Sequence, residues 1–188
     1  MNDKLKKMSY TAMFAAINFI VFSYGKINIS ISANSSTAIH LANAVVVLSS
    51  WLLGPFYGGL AGAIGLSIAD VLDPRYIASA PKTFFLKFMI ALISGSLARK
   101  MGLQKSEDKA QIRRITLLSA AAGLGFNVIF DPIVGYFYKK YILRIGAEAA
   151  SIFLAWSAGV TALNAVICTF VSSLLYLALY KSFRKIMV

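Results

Sequence analysis

Five ionisable side chains lie within or at the ends of long apolar stretches of this sequence: His40, Asp70, Asp73, Lys87 and Asp131. A charged group at the centre of a bilayer costs about 2.5–3.5 kcal/mol even on lenient scales, so each one needs a partner or a water-filled cavity. All five fall towards the same side of the predicted layout. The first, second and last apolar stretches carry no acid or base near their middle. This clustering predicts a polar pocket that opens at one membrane face.

The same residues do not make a recognisable catalytic or metal centre. Asp70 and Asp131 could in principle form an aspartyl dyad, but neither is surrounded by residues typical of an intramembrane protease. The sequence has no HExxH motif, no Cys/His spacing suited to a metal and no glycine-rich phosphate loop. Cys168, the single cysteine, is expected to behave as a small hydrophobe. We predict a protein that is not an enzyme and needs no metal or cofactor.

The composition is that of a membrane protein. Hydrophobic residues make up 59% of the 188 positions and charged residues only 14%, whereas soluble domains are about 45–50% apolar and about 25% charged. The net charge of +12 could suggest nucleic-acid binding. However, the basic residues fall in the gaps between apolar runs, as membrane topology requires, so we expect no nucleic-acid partner.

The apolar runs predict six transmembrane helices in one domain, residues 1–188, of an all-α integral membrane protein. Each span needs about 20 apolar residues, and the runs cover residues 8–25, 39–55, 56–72, 83–99, 114–138 and 150–181. The second and third are separated at Gly54–Pro55, where one long kinked helix is the alternative. The first run follows a basic segment, as in a signal peptide, but we interpret it as a retained helix.

Positive charge is distributed unevenly between the two sides of this layout. Twelve of the nineteen Lys and Arg residues fall at the two termini and in the gap after the fourth helix, which all share one side. Cytoplasmic segments carry the excess of Lys and Arg. We therefore expect both termini in the cytoplasm of a multi-pass protein of the cell membrane.

The opposite side has the longer polar connections, which could form the mouth and lid of a site or be plain solvated loops. Amide and aromatic side chains near these connections could line the pocket: Asn43, Asn127, Asn164, Trp156, Tyr136 and Tyr138. Aromatic rings with a polar edge suit a flat heteroaromatic ligand. The alternative for the aromatic residues is an interfacial belt.

Small side chains form two faces at helical spacing. Gly54, Gly58 and Gly62 recur every four residues, and we expect them to allow close packing inside the protein. Ala12 and Ala16, with Ala15 beside them, begin close to the basic end of the first helix. A shallow groove at that place could accept a helix from another protein.

With Ala12-x-x-x-Ala16 and the segment "IHLANAVVVLSSWLLGPFYGGLAGAIGLSIADVL", residues 39 to 72, the chain resembles the substrate-binding S components of energy-coupling factor (ECF) vitamin transporters. Size, helix number and termini agree, so the resemblance covers nearly the whole chain. It implies the ECF S-component fold. It also implies high-affinity capture of a vitamin, and import driven by partners: a transmembrane T-component and two cytoplasmic ATPases, which alone use ATP. Ala12, Ala15 and Ala16 would dock the T-component.

Ligand contacts follow from the resemblance by position only, because no ligand motif matches residue by residue. The family binds its ligand with the first, third and fifth loops and the outer halves of the last three helices. The corresponding candidates are Asn43, Asp70, Tyr76, Lys87, Asn127, Asp131, Trp156 and Asn164. Within the family, residues 39–72 look closest to members for hydroxymethylpyrimidine and pyridoxine, with riboflavin the next choice. Outside the family, an ATP-independent channel or facilitator for a small solute is the alternative.

Overall fold

The chain forms a bundle of six helices with a β-hairpin between the first two. The computed structural model describes residues 3–32 and 35–187. Within these residues the elements are α1 (Asp3–Tyr24), β1 (Ile27–Ser32), β2 (Ser35–Ile39), α2 (Ala42–Leu53), α3 (Pro55–Val71), α4 (Ala80–Lys100), α5 (Lys109–Phe137) and α6 (Ala147–Met187). The six predicted helices are confirmed, with shifted ends.

The hairpin is the main difference from the predicted all-α layout. β1 and β2 pair antiparallel, with Ile27 opposite Ile39, in the segment where polar and β-branched residues alternate. α2 begins only at Ala42 and has 12 residues, which gives a length of about 18 Å. It is therefore shorter than the predicted helix over 39–55, because β2 and the residues after it occupy the first part of that stretch.

The boundary between α2 and α3 lies where the sequence predicts it. Gly54 has a φ of +90°, a left-handed conformation that favours glycine, and Pro55 occupies the first turn of α3. The helices then run back against each other so closely that a Cβ at Gly58 would overlap the Ser50 backbone. One kinked helix is thereby excluded.

The remaining small residues of α3 face its neighbours, as expected. A Cβ at Gly62 would lie 2.8 Å from Val46 of α2, and one at Gly65 would overlap the carbonyl oxygen of Ala15 in α1. Close approach of this kind replaces the hydrophobic drive that helices lack in lipid. α3 is thus held between α1, α2 and α4, with which it makes extensive contacts.

The last three helices contain the long apolar stretches. Among the described residues, three helical stretches are long and apolar enough to cross a membrane: Ile77–Lys100, Lys109–Ile142 and Ala147–Phe183. α5 contains Pro132 and passes into a π-helical turn, Tyr138–Ile142. Proline removes one backbone donor and bends a helix, and this irregular stretch adjoins Asp131.

The bundle has two ends, which we name by their contents. The hairpin end comprises β1 and β2, residues 72–79 between α3 and α4, and residues 138–146 between α5 and α6. The termini end comprises the start of α1, the turn at Gly54, residues 101–108 and the end of α6. Between them lies a core that includes Leu66, Leu86, Ile90 and Leu124, all fully buried.

Candidate functional site

A polar cavity lies beneath the hairpin end, where α2 to α6 converge under β2. Its free volume is about 80 Å³. Seven of the eight predicted ligand contacts line it: Asn43, Asp70, Tyr76, Lys87, Asn127, Asp131 and Asn164. The structure therefore brings together residues that are spread over more than 120 positions of the sequence.

Asp131 of α5 is the best-bonded acid of the cavity. Lys82 Nζ donates to its Oδ1 over 2.9 Å, and Ser157 of α6 donates to its Oδ2 over 2.9 Å. Thr161 donates to the same Oδ2 over 3.3 Å. A partly buried carboxylate with a cation and two hydroxyl donors is a stable charged group. Asp131 thus links α4, α5 and α6 around the cavity.

Asp70 of α3 has a different environment. Thr83 Oγ1 donates to its Oδ2 over 2.5 Å, and the side chain is only 2% exposed. No described cation forms an ion pair with Asp70. The two carboxylates therefore have separate hydrogen-bond partners, and each has acceptor capacity left on the cavity side.

Lys87 of α4 is the unpartnered cation of the cavity. It is 8% exposed, and it makes no hydrogen bond or ion pair with any described residue. The ion pair with Asp131 is formed by Lys82, which lies five residues earlier in α4. A buried ammonium without a partner is costly unless a ligand or water completes it.

Several amide and imidazole groups of the cavity also have unsatisfied hydrogen-bonding atoms. Asn43 Oδ1, Asn127 Oδ1 and His40 Nδ1 are buried and have no hydrogen-bond partner in the part of the chain that the structure describes. Buried polar atoms are nearly always bonded, so each of these marks a place for a ligand atom or an ordered water. Together with Lys87 they offer one charged donor, two carbonyl acceptors and an imidazole nitrogen.

Asn164 of α6 has a structural role in the observed state. Its Oδ1 accepts the His40 backbone N–H over 3.0 Å, and its Nδ2 donates to the Ala38 carbonyl over 2.9 Å. These two bonds satisfy backbone groups at the end of β2 and hold the strand over the cavity. Asn164 lines the cavity wall, but both halves of its amide are already bonded.

The hairpin is joined to residues 72–79 by a cluster that we call the clasp: Lys26, Asn28, Asp73, Arg75 and Tyr76. Lys26 Nζ lies 2.7 Å from Asp73 Oδ2, and Arg75 Nη2 lies 2.9 Å from the same oxygen. The Tyr76 hydroxyl donates to Asn28 Oδ1 over 2.9 Å. Lys26 Nζ also lies 4.6 Å from the centre of the Tyr76 ring.

The electrostatics of the clasp keep both groups in their bonded form. Hydrogen bonds from Arg75, and then from Lys26, hold the pKa of Asp73 well below its ordinary value. Burial raises the pKa of Tyr76 to about 12, so its hydroxyl remains a donor at any physiological pH. The clasp therefore covers the cavity over a broad pH range.

Trp156 is the one predicted contact that the structure places elsewhere. Its side chain is 53% exposed and lies in a shallow apolar cleft between α6 and the hairpin, beside Ile29 and Ile39. Phe22, Phe153 and Tyr76 supply the aromatic surface of the cavity instead. Trp156 therefore does not line the described cavity, because its side chain lies on an outward-facing part of α6.

The sequence analysis also missed four polar residues that α4 and α6 contribute to the wall: Lys82, Thr83, Ser157 and Thr161. For most of these residues, the spacing along the helix is a signal that could have found them. Thr83 and Lys87 are four residues apart, and Ser157, Thr161 and Asn164 follow a spacing of four and three, so each set shares one helix face. A polar face on an otherwise apolar helix is predicted to point into the bundle. Trp156 does not lie on that face.

A second, apolar groove runs along α1 and α3. Ala12, Ala15 and Ala16 line it with Met8, Tyr57, Leu60, Ile64 and Ile68, and its volume is about 600 Å³. Ala12 and Ala16 are exposed and Ala15 is half-buried. The three predicted docking residues thus share one open face, which begins near the termini end.

The fold is that of the S components of ECF transporters. A solved structure described as "Structure and mechanism of the S component of a bacterial ECF transporter" matches with a TM-score of 0.60 and 16% sequence identity. The match covers 95% of this chain and 97% of that one. A comparison with curated proteins found no match.

The family model described as "ECF-type riboflavin transporter, S component" matches residues 2–181, and the chain belongs to this family. It is a membrane-embedded substrate-binding subunit of a transporter and not an enzyme. The family match is to the riboflavin type. It corrects the expected similarity to hydroxymethylpyrimidine and pyridoxine members, which rested on residues 39–72 alone.

Proposed function

We propose that this chain captures riboflavin, or a closely related flavin, in the cavity beneath the hairpin end. The observation that carries the proposal is the match of residues 2–181 to the riboflavin-type family model. This match spans the helices that line the cavity, so it bears on the site as well as on the fold.

The chemistry of the cavity supports a flavin. The pyrimidine edge of an isoalloxazine ring alternates carbonyl acceptors with an N–H donor, and the ribityl chain adds hydroxyl groups. Lys87 would donate to a carbonyl, and the free amide oxygens of Asn43 and Asn127 would accept from N–H or hydroxyl groups. Phe22, Phe153 and Tyr76 supply apolar surface for the flat rings.

Binding requires the cover of the cavity to open. Sites for ligands of this size hold about 300 Å³ or more, whereas the free volume here is about 80 Å³. β1 and β2 form the part of the wall that is attached by side-chain contacts, namely the clasp and the two Asn164 bonds. We infer that the hairpin moves outwards to admit the vitamin and closes over it afterwards.

The hairpin end would face the outside and the termini end the cytoplasm. The excess of Lys and Arg at the termini end supports this orientation. Ala12, Ala15 and Ala16 would receive a helix of the T-component, because exposed small residues let a partner helix approach closely. The two ATPases would then drive import through that contact.

The substrate is tested by titration with flavin. Purified protein should quench riboflavin fluorescence with a 1:1 end point, and a hundredfold excess of pyridoxine or hydroxymethylpyrimidine should not displace it. No flavin binding, together with saturable binding of pyridoxine or hydroxymethylpyrimidine, would return the substrate to the smaller rings. Flux of riboflavin through the chain alone in liposomes, without ATPases, would favour the facilitator.

The docking face is tested separately. Ala12→Trp or Ala16→Trp should abolish co-purification with the T-component and leave riboflavin affinity within about twofold, because the groove and the cavity share no lining residue. Ala121→Trp is the matched control, since Ala121 is also exposed but belongs to α5. Loss of flavin binding with intact assembly would mean that the alanine groove and the polar cavity have been assigned the wrong roles.

A further inference from the structure

A further cavity lies at the termini end, apart from the polar cavity and next to the alanine groove, with which it shares Tyr57. It is formed by the start of α1, the turn between α2 and α3, and the ends of α4 and α6, and its volume is about 480 Å³. Lys7 and Arg99 line it together with Trp51, Tyr57, Tyr176 and Tyr180. No described carboxylate contributes to its wall.

The two cations of this cavity are available for a ligand. Neither Lys7 nor Arg99 forms an ion pair with a described residue. Lys7 is half-buried and Arg99 is exposed at the rim. Two unpaired cations facing one recess attract an anion, since their mutual repulsion falls when a negative group lies between them.

Trp51 supplies an independent sign of a missing partner. Its side chain is 3% exposed, and its indole Nε1 is buried with no hydrogen-bond acceptor among the described residues. The ring is held in place by an edge contact with Tyr176, with 5.6 Å between ring centres. An indole nitrogen can only donate, so its missing partner is an acceptor such as an anionic oxygen.

The start of α3 adds further donors to the same wall. Gly54 is the N-cap and provides no side-chain bond, and Pro55 occupies the first turn. The following backbone N–H groups at Phe56 and Tyr57 have no acceptor within the helix by position. An uncapped helix N-terminus carries a partial positive charge and binds phosphate groups.

We propose that this cavity binds a phosphate group, either from the headgroup of an anionic phospholipid or from a free phosphate compound. Lys7 and Arg99 neutralise the charge, the Trp51 indole donates one hydrogen bond, and the start of α3 donates others. Because Tyr57 also lines the alanine groove, an occupied site stabilises the wall that the two recesses share.

The chain contains two tryptophans, which permits a direct measurement. In the Trp156→Phe variant, Trp51 becomes the single tryptophan, and its fluorescence reports on the cavity. The detergent-solubilised variant is titrated with dihexanoyl phosphatidylglycerol, dihexanoyl phosphatidylcholine and inorganic phosphate. We expect a saturable change with phosphatidylglycerol at a concentration at least tenfold below that for phosphatidylcholine. If inorganic phosphate gives an equal response, the bound phosphate group comes from a free phosphate compound and not from a lipid headgroup.

The charge requirement is tested with matched pairs. Lys7→Gln with Arg99→Gln should weaken binding at least tenfold. Lys6→Gln with Lys100→Gln removes the same charge from neighbouring positions outside the cavity and should leave it within about twofold. If the first pair does not fold, Arg99→Gln is compared with Lys100→Gln. Equal weakening by both sets, equal affinity for the two lipids, or no response to phosphatidylglycerol and phosphate would overturn the proposal.

Discussion

At the scale of single residues, the cavity contains two lysines of one helix with opposite roles. Lys82 is committed to Asp131, whereas Lys87, five residues later, is buried without a partner. A paired charge stabilises the fold, and an unpaired one costs free energy that only a bound ligand recovers. The two positions should therefore respond oppositely to substitution.

Lys87→Met is expected to weaken riboflavin binding at least tenfold, or about 1.4 kcal/mol, while the melting temperature stays the same or rises. The physical reason is that methionine fills a similar volume without a buried charge. Fluorescence titration and thermal unfolding in detergent check the two effects. Lys100→Met, at the end of the same helix, is the control. Unchanged affinity in Lys87→Met would remove this lysine from the site.

Lys82→Met is expected to lower the free energy of unfolding by about 3 kcal/mol, because Asp131 is left as a largely buried charge. Ser157 and Thr161 still donate to the carboxylate, which keeps the loss at the lower end of the usual range. Thermal unfolding measures the effect. Adding Asp131→Asn to Lys82→Met should recover part of the stability; no recovery would show that the pair does not act as a unit.

At the scale of elements, the hairpin is the part of the wall that side-chain contacts hold in place. It is held by Lys26 on Asp73, by Tyr76 on Asn28 and by Asn164 on β2. Each of these contacts can break without unwinding a helix. The hairpin is therefore the element that can gate the cavity, whereas the six helices fix its floor and sides.

Lys26→Met is expected to speed riboflavin dissociation about fivefold or more, because it removes the charged contact between hairpin and loop. Arg75→Met is the matched control. Arg75 binds the same aspartate but belongs to the same loop, so we expect less than a twofold change. Stopped-flow recovery of flavin fluorescence measures both rates. Equal rates in the two variants would mean that the clasp does not retain the ligand.

The clasp also predicts how riboflavin dissociation responds to pH. The pKa of Asp73 is depressed in the folded state, so its contribution is fully present above the ordinary aspartate pKa of about 3.9. It is lost only as pH falls through the lower folded value. Riboflavin dissociation should therefore be constant between pH 5 and 8. A several-fold rise in the dissociation rate over that interval would point to another titrating group in the cover.

At the scale of the whole molecule, three recesses are separated along the bundle. The polar cavity lies beneath the hairpin end, the basic cavity lies at the termini end, and the alanine groove lies along the side of α1 and α3. This arrangement lets ligand capture and partner docking use different surfaces. It is consistent with a binding subunit that depends on other proteins for energy.

The proposed orientation in the membrane rests on the distribution of charge, and it can be measured. We expect Glu148→Cys, at the hairpin end, to react with a membrane-impermeant maleimide in intact cells, and Lys105→Cys to react only after lysis. The native Cys168 is fully buried and gives little background. The reverse pattern would place the termini outside and contradict the proposed direction of capture.

The sequence by itself determined the six helices, the break at Gly54 and the polar character of the cavity. These depend on local properties, namely the length of apolar runs, backbone conformation and the cost of charge in lipid, which each segment carries alone. Seven of the eight predicted ligand contacts line the cavity, and their prediction combined this cost with a family resemblance.

Only the tertiary structure decided which lysine is paired, which way Trp156 points, and that β2 replaces the first part of a helix over the cavity. These outcomes depend on distances between segments remote in sequence, such as Asn164 and His40. Composition and spacing constrain the face on which a residue lies, but the partner that meets that face is set by packing of the whole bundle.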